Sequence, residues 1–176
     1  MRVKSHEMEE RGALQVAELM CLAARTAPKG RGVDNLATLV VTGRDKDILS
    51  AEMRKIAKES GSQFFERDAN CVDKAVAVIL LGQKVSVMGV VPCGYCGYAN
   101  CAENVKHKGM CAVSIGDLGI ALGSAVSVAA QHRVDNRVMF SIGRAALNLE
   151  YFEEAVTIVY GIPLSVSGKS PFFDRG

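Results

Sequence analysis

Residues 75–81, Ala-Val-Ala-Val-Ile-Leu-Leu, form an unbroken apolar run closed by Gly82. A strand with one wet face alternates apolar and polar side chains, so this run predicts a strand buried on both faces. Such a strand needs a substantial core around it, and 176 residues suffice for one domain that has one. Apolar residues make up 49% and charged residues 23%, the mix of a soluble globular chain rather than a disordered one. The 21 basic and 19 acidic side chains nearly cancel, which argues against a nucleic-acid binder that works through bulk charge.

The segment Met1 to Arg11 carries six charges and no apolar core, so it does not read as a secretory signal. No stretch reaches ~18 uninterrupted apolar residues, and no membrane span is expected. The six cysteines are therefore expected in a reducing compartment, the cytoplasm, where thiols serve metals or redox chemistry more often than disulfides.

Around the buried strand, Ser5 to Ala24 reads as an amphipathic helix wetted at Arg11, Gln15 and Glu18 and stopped by Pro28, Gly30 and Gly32. Leu36 to Thr42 is β-branched and reads as a strand, and Asp47 to Glu59 reads as a helix ended by Gly61. Asp117 to His132 predicts a very apolar, central helix opened by Asp117, with Gly119, Gly123 and Ala125 permitting close approach. Val138 to Ile142 reads as a strand followed by a helix from Arg144 towards Glu154, and Ala155 to Tyr160 is a further apolar run. The end, through Phe172-Phe173-Asp174-Arg175, looks extended, and its Phe pair invites burial against a second copy or the chain's own core. Helices and strands are interspersed without repeat or linker, so the class is α+β or α/β in a single domain, 1–176.

Chemistry concentrates in Cys93, Cys96, Cys101 and Cys111, a C-x2-C-x4-C-x9-C array within nineteen residues. Two thiolates two residues apart can share one metal centre if the backbone turns between them. Gly94 and Gly97 permit that turn and leave N–H groups free to donate to sulfur. Uneven spacing, three cysteines near each other and one more distant, suits an iron–sulfur cluster. A zinc site completed by His107 and an array without metal are the alternatives. Lys106, His107 and Lys108 could offset the negative charge of a cluster, or simply form a wet turn. Cys21 and Cys71 lie outside the array, Cys21 in an apolar helix where a lone thiol is usually a small hydrophobe.

Cys93-Gly-Tyr-Cys-Gly-Tyr-Ala-Asn-Cys101 resembles the signature of the four-iron ferredoxin-type domain of corrinoid and electron-transport iron–sulfur proteins. There the last cysteine generally lies further on, which leaves Cys111 or His107 as the fourth ligand. The chain as a whole resembles a prokaryotic family described as containing a ferredoxin domain. The blocks that carry this are Arg31-Gly-Val-Asp-Asn35, the cysteine array, Asp117 to Ser124, His132 to Met139 and Gly168 to Asp174. Ala24-Arg-Thr-Ala-Pro-Lys-Gly-Arg-Gly-Val-Asp-Asn35, running into the strand at 36–42, resembles the early segment of flavin-dependent nitroreductases.

The second resemblance implies an α+β, nitroreductase-like fold: a central mixed sheet with a buried helix and flanking helices, and a cysteine-rich insertion at 90–112. It also implies FMN at a homodimer interface. The arginine-rich motif that grips the flavin phosphate in that family is absent here, and Lys29 replaces the serine of its A-P-S turn. Arg25, Lys29 and Arg31 are the residues that could hold the phosphate instead.

Other motifs dissolve on inspection. Gly168-Lys169-Ser170 lacks the upstream glycine of a P-loop, since Pro163 stands there. His132, Asp135 and Asp117 have no serine elbow to serve as an acid–base group. The leading expectation is a redox protein with a Cys-ligated four-iron cluster coupled to a flavin. Its rival is a non-catalytic binding or assembly module whose zinc-type site staples a loop, and a cluster-free flavin reductase comes third. No substrate or redox partner can be read from the chain.

Overall fold

A computed structural model describes residues 2–153 and 155–173. Glu154, towards which the helix from Arg144 was expected to run, and Asp174 and Arg175 of the C-terminal segment lie outside the described residues. The order is α1 Ser5–Thr26, a 3-10 turn Gly30–Gly32, β1 Leu36–Val41, α2 Gly43–Ser60, α3 Phe64–Asp73 and β2 Ala77–Gln83. It continues with α4 Cys101–Lys106, α5 Ala112–Gln131, β3 Asp135–Asn136, α6 Phe140–Asn148 and β4 Ile158–Ser165. The strands form one sheet in the order β1-β2-β4-β3.

Strand β2 is buried along its whole length, as its unbroken apolar run requires. Ile79 and Leu81 face α1 and α5, where Met20, Ala24, Leu118 and Ala121 pack over them. Val78 and Leu80 point the other way, into Leu49, Met53, Phe65 and Ala145 of α2, α3 and α6. Ile79, Leu80 and Leu81 are each 0% exposed, and burying such a side chain contributes roughly 1.5–3 kcal/mol. The molecule is thus a sheet between two helical layers, and the α+β class stands.

Within that class every pairing of the described sheet is antiparallel, where a mixed sheet was expected. The reason is α3, a helix the sequence reading missed. One helix between two strands returns the chain to its starting end and yields a parallel neighbour, whereas the pair α2–α3 delivers β2 from the opposite end. Residues 138–142 are not a strand either. Met139 makes one bridge to Gly161, and the helix begins at Phe140. Ile142, Ala145 and Ala146 are all 0% exposed, a helical spacing that a five-residue window could not reveal. Gly143 lets α6 lie flat on the sheet, since a Cβ there would fall 1.7 Å from the Val159 carbonyl oxygen.

Helix α5 starts five residues before the expected Asp117, with Cys111 at its N-cap. Asp117 is therefore an interior helix residue, and it is buried. By length and composition α5 could cross a membrane, but it packs along α1 and the sheet. The C-terminal segment folds back on its own chain: Phe172 is 2% exposed in the core beside α2, α3 and α6, and Phe173 lies under the Arg137 guanidinium at 5.3 Å. Of the Phe pair, Phe172 is thus buried against the chain's own core, while Phe173 remains 59% exposed.

Candidate metal centre

Between β2 and α5 the chain runs through residues 84–111 with only the short α4 as regular structure. Gly94 and Gly97 have φ of +75° and +83°, the left-handed region open to glycine, and Gly97 N–H donates to the Gly94 carbonyl at 3.0 Å. The tight turn read from Cys93-Gly-Tyr-Cys-Gly is thus formed. Asn100 caps α4 by accepting from Glu103 N–H at 3.0 Å, and Cys101 is the first helical residue. An asparagine cap with Glu103 three residues on was a legible start signal, unused in the sequence reading.

This segment encloses a cavity of about 280 Å³ onto which Cys93, Cys96, Cys101 and Cys111 all open. All four are free thiols; Cys111 is buried and the other three are half-buried. Four residues spread over nineteen positions are therefore brought to one cavity. They are not gathered to one point: among the described residues no three Cys, His, Asp or Glu side chains stand at ligand spacing. His107 does not line the cavity; its ring stacks on Tyr98 at 5.6 Å and its Nε2 lies 3.6 Å from Glu103. Lys106 also turns to Glu103, at 3.8 Å, rather than inward.

The Cys96 thiol is held below its ordinary pKa, first by a hydrogen bond from the Tyr98 backbone N–H and further by the Asn104 side chain. Donors aimed at sulfur favour the thiolate, the form that binds metal. The thiols of Cys21 and Cys71 are pushed up by burial, Cys21 within the core between α1 and the sheet and Cys71 against Pro171. Both lie outside the cavity lining. Soft sulfur donors and a cavity shared by four of them fit an iron–sulfur or zinc centre.

The three basic residues named for a flavin phosphate do not form a common cradle. Arg25 Nη1 donates to Asp34 at 2.7 Å and to the Leu36 carbonyl at 2.5 Å. Lys29 Nζ donates to the Arg25 and Ala27 carbonyls at 2.5 and 3.0 Å, with its side chain 7% exposed. Arg31 points elsewhere and donates to the Met88 carbonyl at 3.0 Å, on the wall of the cysteine cavity. The turn between them is pinned by Asp117, whose Oδ1 accepts from Gly30 N–H at 2.9 Å. A carboxylate inside an apolar helix was the available signal, misread as a helix start. Asp117 and His132 stand fifteen residues apart on one helix axis, roughly 22 Å at 1.5 Å per residue, so no acid–base group assembles there. Asn104, buried in the cavity wall, carried no sequence signal at all.

The structure has the nitroreductase fold. It is similar to a nitroreductase with bound FMN from Desulfitobacterium hafniense, at a TM-score of 0.60 and 14% identity over 88% of this chain and 78% of that one. Nitroreductase A from Vibrio parahaemolyticus matches at 0.53 and 13% identity, covering 89% of this chain, which spans only 60% of that protein's length. An uncharacterized protein from Archaeoglobus fulgidus is 39% identical over 99% of this chain and 98% of its own length. A family described as "uncharacterized protein containing a ferredoxin domain" matches residues 107–175, a range that includes Cys111 but not Cys93, Cys96 or Cys101. The family description, through its ferredoxin domain, points to a redox or electron-transfer role. The chain belongs to this ferredoxin-domain family, in a nitroreductase fold.

Proposed function

We propose that this is a cytoplasmic redox protein in which Cys93, Cys96, Cys101 and Cys111 hold a 4Fe-4S-type cluster. The observation that carries the reading is the convergence of all four free thiols on one cavity. Cys111 serves as fourth ligand in preference to His107, because it lines the cavity and His107 does not. Bound there, the cluster would supply reversible one-electron storage.

The chain's own residues supply the setting. The glycine turns at 94 and 97 orient the first two thiols, and the N-cap position of Cys111 fixes the last relative to the rigid α5. Val90 and Met88 contribute an apolar wall, which limits water around the sulfurs and so bears on redox potential. Segment 90–112 acts as a cysteine-rich insertion in the single domain. Its helix α4 makes few contacts with the other helices and strands, and that independence suits a segment ordered by metal.

The FMN of the Desulfitobacterium neighbour supports a flavin partner in this fold. On this chain Arg25 and Lys29 are already committed to Asp34 and to carbonyls, so these residues do not fit a free phosphate grip.

A homodimer is part of the reading, and it rests on α5. Gly116, Gly119, Ile120, Gly123 and Ser127 share an exposed face, and a Cβ at any of the three glycines would meet nothing within 4 Å. Ile120 on this face and Leu22 on the neighbouring α1 are 49% and 61% exposed. A second copy covering this apolar helix pair buries what the monomer leaves wet.

One anaerobic preparation, analysed for iron, acid-labile sulfide, zinc and flavin, tests the assignment. Iron and sulfide in equal amounts, near four of each per chain, are expected for this cluster type. Stoichiometric zinc with neither iron nor sulfide would replace the electron-transfer reading with a structural staple. Released FMN without iron would select a flavin reductase.

A further inference from the structure

Helix α3 carries Arg67, Asn70, Cys71 and Lys74 along one side, the last at its C-cap, at the i, i+3, i+4 and i+7 spacing of a helical face. Arg137, just after β3, joins them with Pro171 and Phe172 of the C-terminal segment, and together they enclose a cavity of about 180 Å³. None of these residues lines the cysteine cavity, so the site stands apart from the reading of the metal centre.

The polar lining of this cavity consists of donors. Arg137 Nη1 donates to the Phe172 carbonyl at 3.0 Å and its guanidinium lies over the Phe173 ring, which fixes its position. Arg67 donates through Nε and Nη2 to Asp68 Oδ1 at 2.9 and 2.7 Å, leaving Nη1 unengaged. Asn70 Oδ1 accepts from Arg54 Nη2 at 2.8 Å, which leaves the donor end of its amide. Lys74 is exposed, and among the described residues its ammonium makes no hydrogen bond or ion pair. The nearby acceptors already have donors: the Phe172 carbonyl receives Arg137, and the Pro171 carbonyl receives the Cys71 thiol at 3.9 Å. Among the described residues no carboxylate lines the cavity.

Helix-end electrostatics do not account for the gathering. Lys46 Nζ of α2 already donates to the Val72 and Asp73 carbonyls at 3.2 and 3.5 Å, so the C-terminus of α3 does not need Lys74. Three cations stand against one neighbouring carboxylate, Asp68, which is buried and also accepts from Ser141. All three bear on the Cys71 thiol, drawing down a pKa that burial and then Asp68 push up. The surplus of positive charge repels itself until an anion enters.

We propose that this cavity binds a phosphate group, with Arg67, Arg137 and Lys74 as its cationic partners and Asn70 as a neutral donor. Guanidinium forks match phosphate oxygens, and a dianion meets the surplus charge that a carboxylate would leave half unmet. The volume lies below the ~300 Å³ at which pockets begin to take drug-sized ligands. The occupant is therefore free phosphate or a small phosphomonoester rather than a nucleotide.

The test titrates the full ¹⁵N-labelled chain with inorganic phosphate, glycerol 1-phosphate and acetate at constant ionic strength near pH 7, where phosphate is largely doubly charged. Saturable binding of phosphate is expected, with amide shifts centred on residues 67–74, 137 and 171–172, and acetate should bind about tenfold more weakly or worse. Lys74→Gln breaks no contact, and it should weaken phosphate binding about tenfold with an unchanged circular dichroism spectrum. Lys58→Gln, on α2 outside the cavity, should leave the affinity as it was.

Tighter binding of glycerol 1-phosphate supports the proposal and assigns the site to a phosphomonoester; equal or weaker binding supports it with the free anion as occupant. No saturation below about 10 mM overturns it, as does acetate binding as tightly as phosphate. An affinity unmoved by Lys74→Gln, or lowered as much by Lys58→Gln, overturns it too, since only general charge attraction would then remain.

Discussion

Replacing Gly143 with alanine tests the packing on which the fold rests. An ideal Cβ at this position would lie 1.7 Å from the Val159 carbonyl oxygen, 2.3 Å from its carbon and 3.0 Å from Tyr160 N. All three are backbone atoms of β4, so no side chain can rotate aside. Ordinary contact begins near 3.4 Å, and α6 must lift from the sheet by more than an ångström to reach it. Lifting loosens Ile142, Ala145 and Ala146, each 0% exposed, and strains the Met139–Gly161 bridge.

Overpacking of this kind costs about 1–3 kcal/mol and sometimes more, and a rigid backbone partner argues for the upper end or beyond. Alanine in a helix interior recovers about 1 kcal/mol of propensity over glycine. The net expectation is a loss of about 2–3 kcal/mol, or roughly 4–12 °C in Tm for a domain of this size. Gly12→Ala is the control. Gly12 lies in α1 with nothing within 4 Å of the added Cβ, so only the propensity gain applies and Tm should hold or rise. The assay is thermal and urea unfolding of both variants at matched metal content. A Gly143→Ala protein as stable as the parent would show that α6 does not rest on β4 as described.

Three further outcomes follow from other parts of the molecule. Single Cys→Ser changes at 93, 96, 101 and 111 should each lower bound iron at least severalfold, whereas Cys21→Ser and Cys71→Ser, outside the cavity, should leave it unchanged by metal analysis. Ile120→Glu should halve the mass seen by light scattering while far-UV circular dichroism stays that of the parent; an unchanged mass would remove α5 from the interface. Burial alone would raise the Asp73 carboxyl, but hydrogen bonds from Arg54 and Ser50 outweigh it and hold the pKa below its ordinary 3.8. The folded-state value is the lower one, so the contribution is present above about pH 4 and is lost as acid carries the pH down through the folded value. Asp73→Asn should therefore lower stability at pH 7, by up to about 1 kcal/mol for so exposed a pair, and the difference should vanish near pH 2.

Residue patterns alone settled a good deal of this protein. The unbroken run at 75–81 specified a strand covered on both sides, because an apolar surface leaves water wherever it faces. Gly61 ended α2 in a left-handed cap, and the periodicity of α1 placed Arg11, Gln15 and Glu18 in solvent. Thiol spacing and glycine turns marked the 93–111 segment, since both depend on neighbours within a few residues. Tertiary structure decided what depends on distant partners. Helix α6 won over a strand because Gly143 meets β4, and α5 began at Ala112 because Asp117 is occupied by Gly30, eighty-seven residues away in the chain. Arg25 and Lys29 turned to Asp34 and to carbonyls, and Asn104 was buried against a cavity wall built from both ends of a loop. Local geometry is written in short windows of residues; which charge meets which partner is set only when the whole chain closes.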